Sequence, residues 1–334
     1  MISASGPPLS FKCCIYKVPR NIYHGNVAAY EPYVVSIGPF HHGESNLKDM
    51  EEHKLNIELS SKYFVQMILV DGVFIVELFL RAYFSHLQED SDHLSIFNPG
   101  FLNAITHDLI LLENQLPFFV LERILDLAFP CMDAENLPTM LDLTFAFFLN
   151  YNTQKMQPGF EVKHLLDLLR TFQPPSNSRE ETDKVFEFLP RATELHKAGV
   201  KFKKVSSGCL LDIHFQNYIL KIPCLKLYNK TESYFRNLMA FEQCHYPYDS
   251  CILDFVFLMD YLINTTEDVD LLIQSGVIVN WLGDAAAVAT PFNNLSTNLT
   301  VVVSNFYFVR LSEDLNAYCS MQSPLASLEG DLQT

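Results

Sequence analysis

Apolar residues recur at helical spacing through most of the chain, and short polar or Gly/Pro-rich stretches separate the apolar segments. The longest apolar segment, residues 65–87, contains Asp71, Glu77 and Arg81, which favours a buried core helix, interrupted near Gly72, over a membrane span. The pattern predicts a mainly α, compact, multi-helix globular protein. Helices are expected at residues 49–63, 65–87, 103–114, 116–129, 137–151, 162–172, 192–198, 233–243, 252–263, 268–275 and 288–295.

Two segments have the spacing of strands instead. Between residues 210 and 227, apolar and polar side chains alternate with a period of two, and Asn217-Tyr218 lies in the middle. This pattern predicts one small β-hairpin element. A second run, Tyr33-Val34-Val35-Ser36-Ile37-Gly38-Pro39, predicts one short strand.

The polar stretches also predict how the chain is divided. Residues 1–46 form an irregular N-terminal segment that packs on the core, and residues 47–172 form an N-terminal helical portion. The sequence QPPSNSREETD at 173–183 predicts a flexible excursion. Residues 184–311 form a C-terminal helical portion with the hairpin, and residues 312–334 are expected to be a frayed tail.

Composition narrows the classes of function. Of the 334 residues, 49 % are hydrophobic, with 27 Phe and 15 Tyr, which is ample for a large core. The net charge of −16 disfavours a nucleic-acid partner and a general electrostatic attraction to anionic lipid. The eight cysteines contain no C-x-x-C pair and are expected to be reduced core residues. No glycine-rich phosphate-binding motif occurs, so nucleotide chemistry is also disfavoured.

The densest polar cluster in an apolar context is Asp108 with Glu113-Asn114-Gln115. One interpretation is a polar pocket that holds a metal ion through carboxylate oxygens. The other is a helix junction, in which Asn114 and Gln115 bind backbone groups before Pro117 begins the next helix. Helix junctions supply the partners that buried polar groups need, which favours the second interpretation.

A second acidic set, Asp260, Asn264 and Asp268, has the spacing i, i+4, i+8. On one continuous helix these side chains would share a face, similar to the Mg²⁺-diphosphate site of terpene-cyclase-like enzymes. Asp108 and Glu113 could face them across an aromatic interior that stabilises a carbocation. These five residues are therefore the candidate metal ligands, and Asp108, Glu113 and Asp260 the candidate catalytic residues.

A capping pattern competes with this hypothesis. Thr265 or Thr266 is suited to cap a new helix that begins near Glu267 and ends at Gly276. If the chain breaks its helix at Asn264, Asp268 leaves the shared face. The capping interpretation is the simpler of the two.

Several blocks together resemble one known family. They are IGPFHHG at 37–43, DGVFIVEL at 71–78, DLILLENQLPFF at 108–119, ATEL at 192–195 with AGVKF at 198–202, FRNLMAFEQ at 235–243, and DYLIN at 260–264 followed by EDV at 267–269. In this order they are similar to the plant domain-of-unknown-function 247 family, also catalogued as uncharacterised protein family 0481. The resemblance runs from about Tyr16 to about Cys319.

The resemblance implies a role in recognition. Family members usually carry a C-terminal membrane-anchoring helix, and some are linked to pollen–stigma self-incompatibility in grasses. The chain is therefore expected to be a protein-interaction module with a protein partner, and no cofactor is predicted. It is expected in the cytoplasm, or at the cytoplasmic face of the plasma membrane where such an anchor is present. A Mg²⁺-dependent lyase or cyclase acting on an isoprenoid diphosphate is the alternative, so whether the protein is an enzyme stays open.

Overall fold

The computed structural model describes residues 15–41, 61–84, 87, 96–130, 138–174, 186–295, 299 and 305–330. Helices make up 53 % of the structure and strands 8 %. The predicted mainly α fold class is therefore confirmed. Most of the helix predicted at 49–63 lies outside the described residues.

The fold divides into two compact units. The first consists of residues 1–19, 27–152 and 156–172, and the second of residues 20–26, 153–155 and 173–334. The main boundary falls at the start of the predicted excursion 173–183, of which residues 175–183 lie outside the described part of the chain. Each unit has its own buried core.

The first unit is helical. Its described residues contain a 3₁₀ turn at Val27–Ala29 and five α-helices: α2 (Ser61–Tyr83), α3 (Pro99–Asp108), α4 (Phe118–Ala128), α5 (Met140–Phe147) and α6 (Leu165–Thr171). Side chains define where several of them begin. Asn98 caps α3, Pro117 precedes α4, and Thr139 forms a capping box with Asp142 at the start of α5.

Helix α2 is not interrupted at Gly72, contrary to the sequence expectation. A Cβ atom at this position would collide with the side chain of Ile124 on α4. Gly72 therefore allows α2 and α4 to approach closely, and its packing role replaces the predicted break. Aromatic rings fill the neighbouring core, where Phe79 stacks on Phe147 with ring centroids 4.4 Å apart.

The second unit combines helices with short strands. Its helices are α1 (Arg20–Tyr23), α7 (Ala192–Lys197), α8 (Thr231–His245), α9 (Cys251–Leu262), α10 (Thr266–Gln274), α11 (Ala286–Leu295) and α12 (Val309–Gly330). Its strands are β1 (Lys201–Val205), β2 (His214–Gln216), β3 (Ile219–Pro223), β4 (Leu225–Leu227) and β5 (Ile278–Asn280).

The predicted hairpin is formed by β2 and β3, which pair antiparallel with His214 opposite Lys221. Asn217 and Tyr218 form the two-residue turn with φ of 52° and 62°, as a type I′ turn requires. The prediction of a single β element was incomplete. Strand β1 also pairs with β3 in parallel, and β4 with β5 form a second, two-stranded parallel sheet. Strands of three residues, such as β4 and β5, are too short to show a period of two.

The C-terminal residues differ from the expected frayed tail at 312–334. Residues 309–330 form α12, because Leu311 and Leu315 are buried and Asn316 donates a hydrogen bond to the carbonyl of Phe188 at 2.9 Å. The ring of Tyr318 also lies 5.1 Å from that of Tyr218 in the hairpin turn. Tertiary contacts thus hold a helix whose sequence shows little amphipathic pattern.

By length and composition, one helix among the described residues, Lys62–Tyr83, is apolar enough to cross a membrane. A core helix of a soluble protein meets the same criterion, and 39 % of the most apolar window is buried here. This single helix is weak evidence for a span.

Candidate functional site

The predicted polar cluster lies in the first unit, where α3 ends and the chain turns towards α4. The side chain of Asp108 is fully buried. Its carboxylate accepts three backbone N–H groups of the N-terminal segment, from Tyr33 at 2.9 Å, Val34 at 2.7 Å and Val35 at 2.9 Å. Hydrogen bonds to a charged acceptor are stronger than neutral ones, so Asp108 is a main anchor of this segment.

Asn114 continues the same set of contacts. Its Oδ1 accepts the N–H of Ile37 at 2.6 Å, and its Nδ2 donates to the carbonyls of Val35 at 3.0 Å and Asp108 at 2.9 Å. Both ends of the amide are therefore bonded to backbone. One side chain joins the N-terminal segment to the turn after α3.

Gln115 binds the turn itself and the start of α6. Its Nε2 donates to the carbonyls of Leu109 at 2.7 Å and Leu111 at 2.8 Å. Its Oε1 accepts the N–H of Leu166 at 3.2 Å. These are the backbone bonds that the helix-junction interpretation requires.

Two further buried acids extend the anchoring along the N-terminal segment. Glu113 Oε1 accepts the N–H of Val18 at 2.7 Å, and Glu113 Oε2 lies 3.8 Å from Nε2 of His41. Asp71 on α2 accepts the N–H of Gly38 at 2.9 Å. Buried carboxylates thus hold both ends of the segment as well as its middle.

These bonds explain why residues 33–39 are not the short strand that the apolar run suggested. Carboxylate and amide side chains accept hydrogen bonds from the backbone N–H groups that would otherwise bind a neighbouring strand. Buried backbone groups need partners, and here side chains supply them. Ser36, Ile37 and Gly38 are buried within this segment, which forms no strand.

The second acidic set lies in the other unit, and its three residues do not share a helix. Helix α9 ends at Leu262 and α10 begins at Thr266. The geometry predicted for Asp260, Asn264 and Asp268 is therefore corrected, because Thr265 and Asp268 form a capping box at the start of α10.

Asp268 is buried and serves this helix junction. Its carboxylate accepts the N–H groups of Thr193 at 2.8 Å and Thr265 at 2.9 Å, and of Asn264 at 3.3 Å. Burial works to raise the pKa of Asp268, but hydrogen bonds from Thr193 and Thr265 outweigh it and the pKa is lowered overall. The carboxylate is thus held in its charged form.

The other two candidates of this set have different surroundings. Asp260 is half-buried in the last turn of α9. Burial raises the pKa of the adjacent Tyr261, and the charge of Asp260 adds to that effect. Asn264 is exposed, and its carbonyl accepts a hydrogen bond from Nδ2 of Asn293 at 3.1 Å.

The candidate metal ligands Asp108 and Glu113 belong to the first unit, and Asp260, Asn264 and Asp268 to the second. Oxygens of Asp108, Glu113 and Asp268 accept backbone N–H groups, which does not fit a coordination shell for Mg²⁺. Within the described ranges, no group of three or more His, Cys, Asp or Glu side chains could hold a metal ion.

Several buried acids outside the candidate set also accept backbone N–H groups, and Glu242 is one of them. Glu242 on α8 is fully buried and accepts the N–H groups of Ile252 at 3.2 Å and Leu253 at 2.9 Å, at the start of α9. A carboxylate near the positive end of a helix is favourable. Glu242 was not among the candidate site residues, although an acid between Phe241 and Gln243 in a predicted helix was a usable signal.

The second unit also contains a pocket of about 360 Å³ that no sequence motif indicated. It lies between β4, the start of α8 and helix α11, and its apolar walls come from Leu227, Phe235, Leu282, Val288, Phe292 and Leu295. Among the lining residues that the structure describes, Glu232 supplies the one charged side chain. Because these residues are dispersed over nearly 70 positions, no local pattern could have found the pocket.

Two exposed aromatic rings lie next to this pocket. Tyr228 lines it, and Trp281 immediately precedes the lining residue Leu282. The two rings are nearly parallel, at 15°, with centroids 6.1 Å apart. The two residues are 49 % and 66 % exposed, so both rings are accessible from solvent.

Comparisons with known proteins agree with the resemblance. The profile of a family described as plant protein of unknown function, domain-of-unknown-function 247, matches residues 15–58 and 54–330. A UPF0481 protein of Arabidopsis thaliana is 27 % identical over 377 residues, covering 92 % of this chain and 77 % of the relative. A putative UPF0481 protein of the same plant is 22 % identical over 438 residues, covering 91 % and 82 %. No solved structure matches the chain significantly. The chain belongs to the plant domain-of-unknown-function 247 family.

Proposed function

We propose that the protein is a recognition module that binds another protein, and that it works at a membrane surface. The observation that supports the proposal most directly is an exposed apolar surface on the first turns of α2, here called the α2 stripe. It consists of Val65, Leu69, Val70 and Val73, whose side chains are 62 %, 52 %, 60 % and 45 % exposed.

The four residues of the α2 stripe lie on one side of the helix, and the polar residue Gln66 is exposed among them. With 3.6 residues per turn, the four side chains fall within an arc of about 140°. The opposite side of the helix is buried, as shown by Met67, Ile75 and Phe79. The stripe gives way to a polar surface at Glu77, which pairs with Arg81 at 2.7 Å.

The exposure of these four apolar side chains costs free energy in water, since each of them would gain from burial. Single exposed apolar residues are common, but neighbouring ones along a helix mark interaction surfaces. An apolar helix face is suited to a partner that supplies a complementary groove or helix. The proposed partner is therefore a protein with an apolar docking surface.

The membrane location and a role in signalling, such as self-incompatibility recognition, rest on the family resemblance. The net charge of −16 supports a protein partner over a nucleic acid and over direct electrostatic attraction to anionic lipid. The Mg²⁺-dependent lyase stays an alternative prediction, and the hydrogen bonds of Asp108, Glu113 and Asp268 to backbone do not support it.

Site-specific photocrosslinking tests the proposal. A benzophenone amino acid replaces Val70 in the full-length protein expressed in plant cells, and adducts are identified by mass spectrometry. We expect one predominant protein adduct. It should disappear when Val65→Asp and Leu69→Asp are added, because charges on the stripe oppose burial in an interface.

Leu127 provides the matched control. Its side chain is 62 % exposed on α4, but it lies near the charged, exposed Arg123 and Asp126 instead of in an apolar surface. The same crosslinker at Leu127 should give no such adduct. If Val70 gives no adduct, or the same adducts as Leu127, the α2 stripe is not a recognition surface.

A further inference from the structure

We propose that the pocket of the second unit is a binding site for an apolar amine, a molecule with a phenyl or branched alkyl body and a primary ammonium group. The site is independent of the α2 stripe and is formed by residues of the second unit alone. Its volume of about 360 Å³ falls within the range of small-ligand pockets.

The walls of the pocket match the apolar body of such a ligand. Leucine, valine and phenylalanine side chains from β4, α8 and α11 form them, together with Pro291. Phe235, Val288, Phe292 and Leu295 are buried, so their positions are fixed by the core. An apolar body of limited size can therefore replace water against a preformed surface.

The polar end of the pocket favours a group that donates hydrogen bonds. Glu232 Oε1 already accepts Nε of Arg236 and Nδ2 of Asn26, both at 2.8 Å. Among the described residues, no hydrogen bond to its other carboxylate oxygen, Oε2, is formed within the chain. Arg236 itself is buried, and its Nη2 donates to the carbonyl of Asn294 at 3.3 Å. Glu232 lines the pocket, and an ammonium group is a suitable hydrogen-bond donor to its second carboxylate oxygen.

A second acceptor lies in helix α11. Pro291 is inside this helix and has no N–H group, so it cannot bind the carbonyl of Ala287 four residues earlier. Both Ala287 and Pro291 line the pocket. The carbonyl of Ala287, a lining residue, thus lacks its usual helical donor and is a second acceptor near the carboxylate of Glu232.

The rim of the pocket is held in a defined geometry. Asn280 Nδ2 donates to the carbonyls of Gly283 and Asp284, both at 3.1 Å, and Asn280 Oδ1 accepts the N–H of Leu282 at 2.8 Å. Asp284 in turn accepts the N–H of Ala287 at 2.8 Å. These bonds fix the loop that carries Trp281 and Leu282, which indicates a preformed site.

Two sources could supply this chemistry: a free amine, or the N-terminal residue of a peptide with an apolar side chain. The probes are therefore phenethylamine, and a short peptide amide with an N-terminal phenylalanine. 3-Phenylpropionate has the same body with an anionic group, and the N-acetylated peptide lacks the ammonium group. These two compounds serve as controls.

Binding is measured on the full chain by the fluorescence of Trp281, the only tryptophan in the sequence, and by saturation-transfer NMR of the probes. We expect saturable binding of phenethylamine, and affinity for 3-phenylpropionate at least tenfold lower. Binding of the free amine alone identifies a small-molecule site. Binding of the peptide, lost on acetylation, identifies peptide N-termini.

Ala287→Phe is the variant that fills the pocket, and Ala286→Phe is its matched control, since Ala286 is exposed and outside the lining. Ala287→Phe should lower the affinity for phenethylamine at least tenfold, and Ala286→Phe should leave that affinity unchanged. If Ala287→Phe does not fold by circular dichroism, Ala287→Leu replaces it. Glu232→Gln should remove the preference for ammonium over carboxylate.

Three results would overturn the proposal. They are equal affinity for phenethylamine and 3-phenylpropionate, equal effects of the substitutions at 286 and 287, and no binding to the folded protein by either method.

Discussion

The carboxylate of Asp108 binds the backbone N–H of Val34 at 2.7 Å, although the two residues are 74 positions apart. This contact represents a general feature of the fold. In both units, buried acids bind the N–H groups of irregular segments or of helix starts, as Glu113, Glu242 and Asp268 also do. The irregular segments are therefore held by side chains in place of sheet hydrogen bonds.

Replacing Asp108 with asparagine should destabilise the first unit by about 3 kcal/mol. Asparagine offers a single acceptor oxygen, so its NH₂ group would face an N–H donor, and the charge that strengthens three hydrogen bonds is lost. Equilibrium urea unfolding measures the difference. Asp126→Asn, at an exposed position on α4, should change stability by less than about 0.5 kcal/mol. Similar effects of the two substitutions would show that the hydrogen bonds of Asp108 contribute little to the free energy of unfolding.

A second prediction concerns Gly38, whose N–H donates to Asp71. Its φ of 74° favours glycine, and a Cβ atom there would lie 3.0 Å from the carbonyl oxygen of Gln115. Gly38→Ala should therefore cost at least about 1–2 kcal/mol in the free energy of unfolding. Gly100→Ala, in the first turn of α3 where a Cβ atom has space, should be neutral or stabilising. Thermal unfolding of both variants checks the contrast, and a neutral Gly38→Ala would contradict it.

Local patterns in the sequence predicted the helices and the hairpin, because periodicity and the Asn217-Tyr218 turn are encoded within short windows. The junction role of Asn114 and Gln115 was also among the interpretations, since their position before Pro117 is a local signal. Their partners Val35, Ile37 and Leu166 were not predictable, because tertiary packing brings them together. The pocket next to Glu232 depends on the same kind of long-range packing.

The thiol of Cys209 should be unreactive in the folded protein. Burial raises its pKa to about 11, and its Sγ donates to the carbonyl of Gln173 at 3.1 Å. At pH 8 roughly 0.1 % of this thiol would be ionised, against roughly a quarter for a free cysteine of pKa about 8.5.

Timed alkylation with iodoacetamide, followed by peptide mass spectrometry, measures the reactivity of Cys209. The rate in the native protein should be at least about 100-fold lower than in urea, because the thiolate is the reacting form. The half-buried Cys224 provides an internal reference in the same digests. Equal rates for Cys209 in the native and unfolded protein would be inconsistent with its burial.

The last prediction concerns the pH dependence that Asp268 gives to stability. Its pKa is lowered in the folded protein, so the charged form contributes stability above its unfolded pKa of about 3.9. That contribution should be lost as the pH falls through the lower, folded pKa. Below that pH the carboxyl group of Asp268 is protonated in the folded and in the unfolded state alike. Asp268→Asn removes this ionisation together with the charged acceptor of the Thr193 and Thr265 bonds.

The stability difference between the wild type and Asp268→Asn should thus be about 1–2 kcal/mol near neutral pH and should shrink as the pH falls below about 4. Urea unfolding over a pH series measures this difference. No salt is added, because salt would screen the charges. Asp270→Asn, at an exposed position on the same helix, controls for the general loss of a negative charge. A difference that stays constant with pH would mean that the hydrogen bonds of Asp268 do not depend on its ionisation. In that case the α9–α10 junction would be held by the geometry of the capping box and not by the charge of its carboxylate.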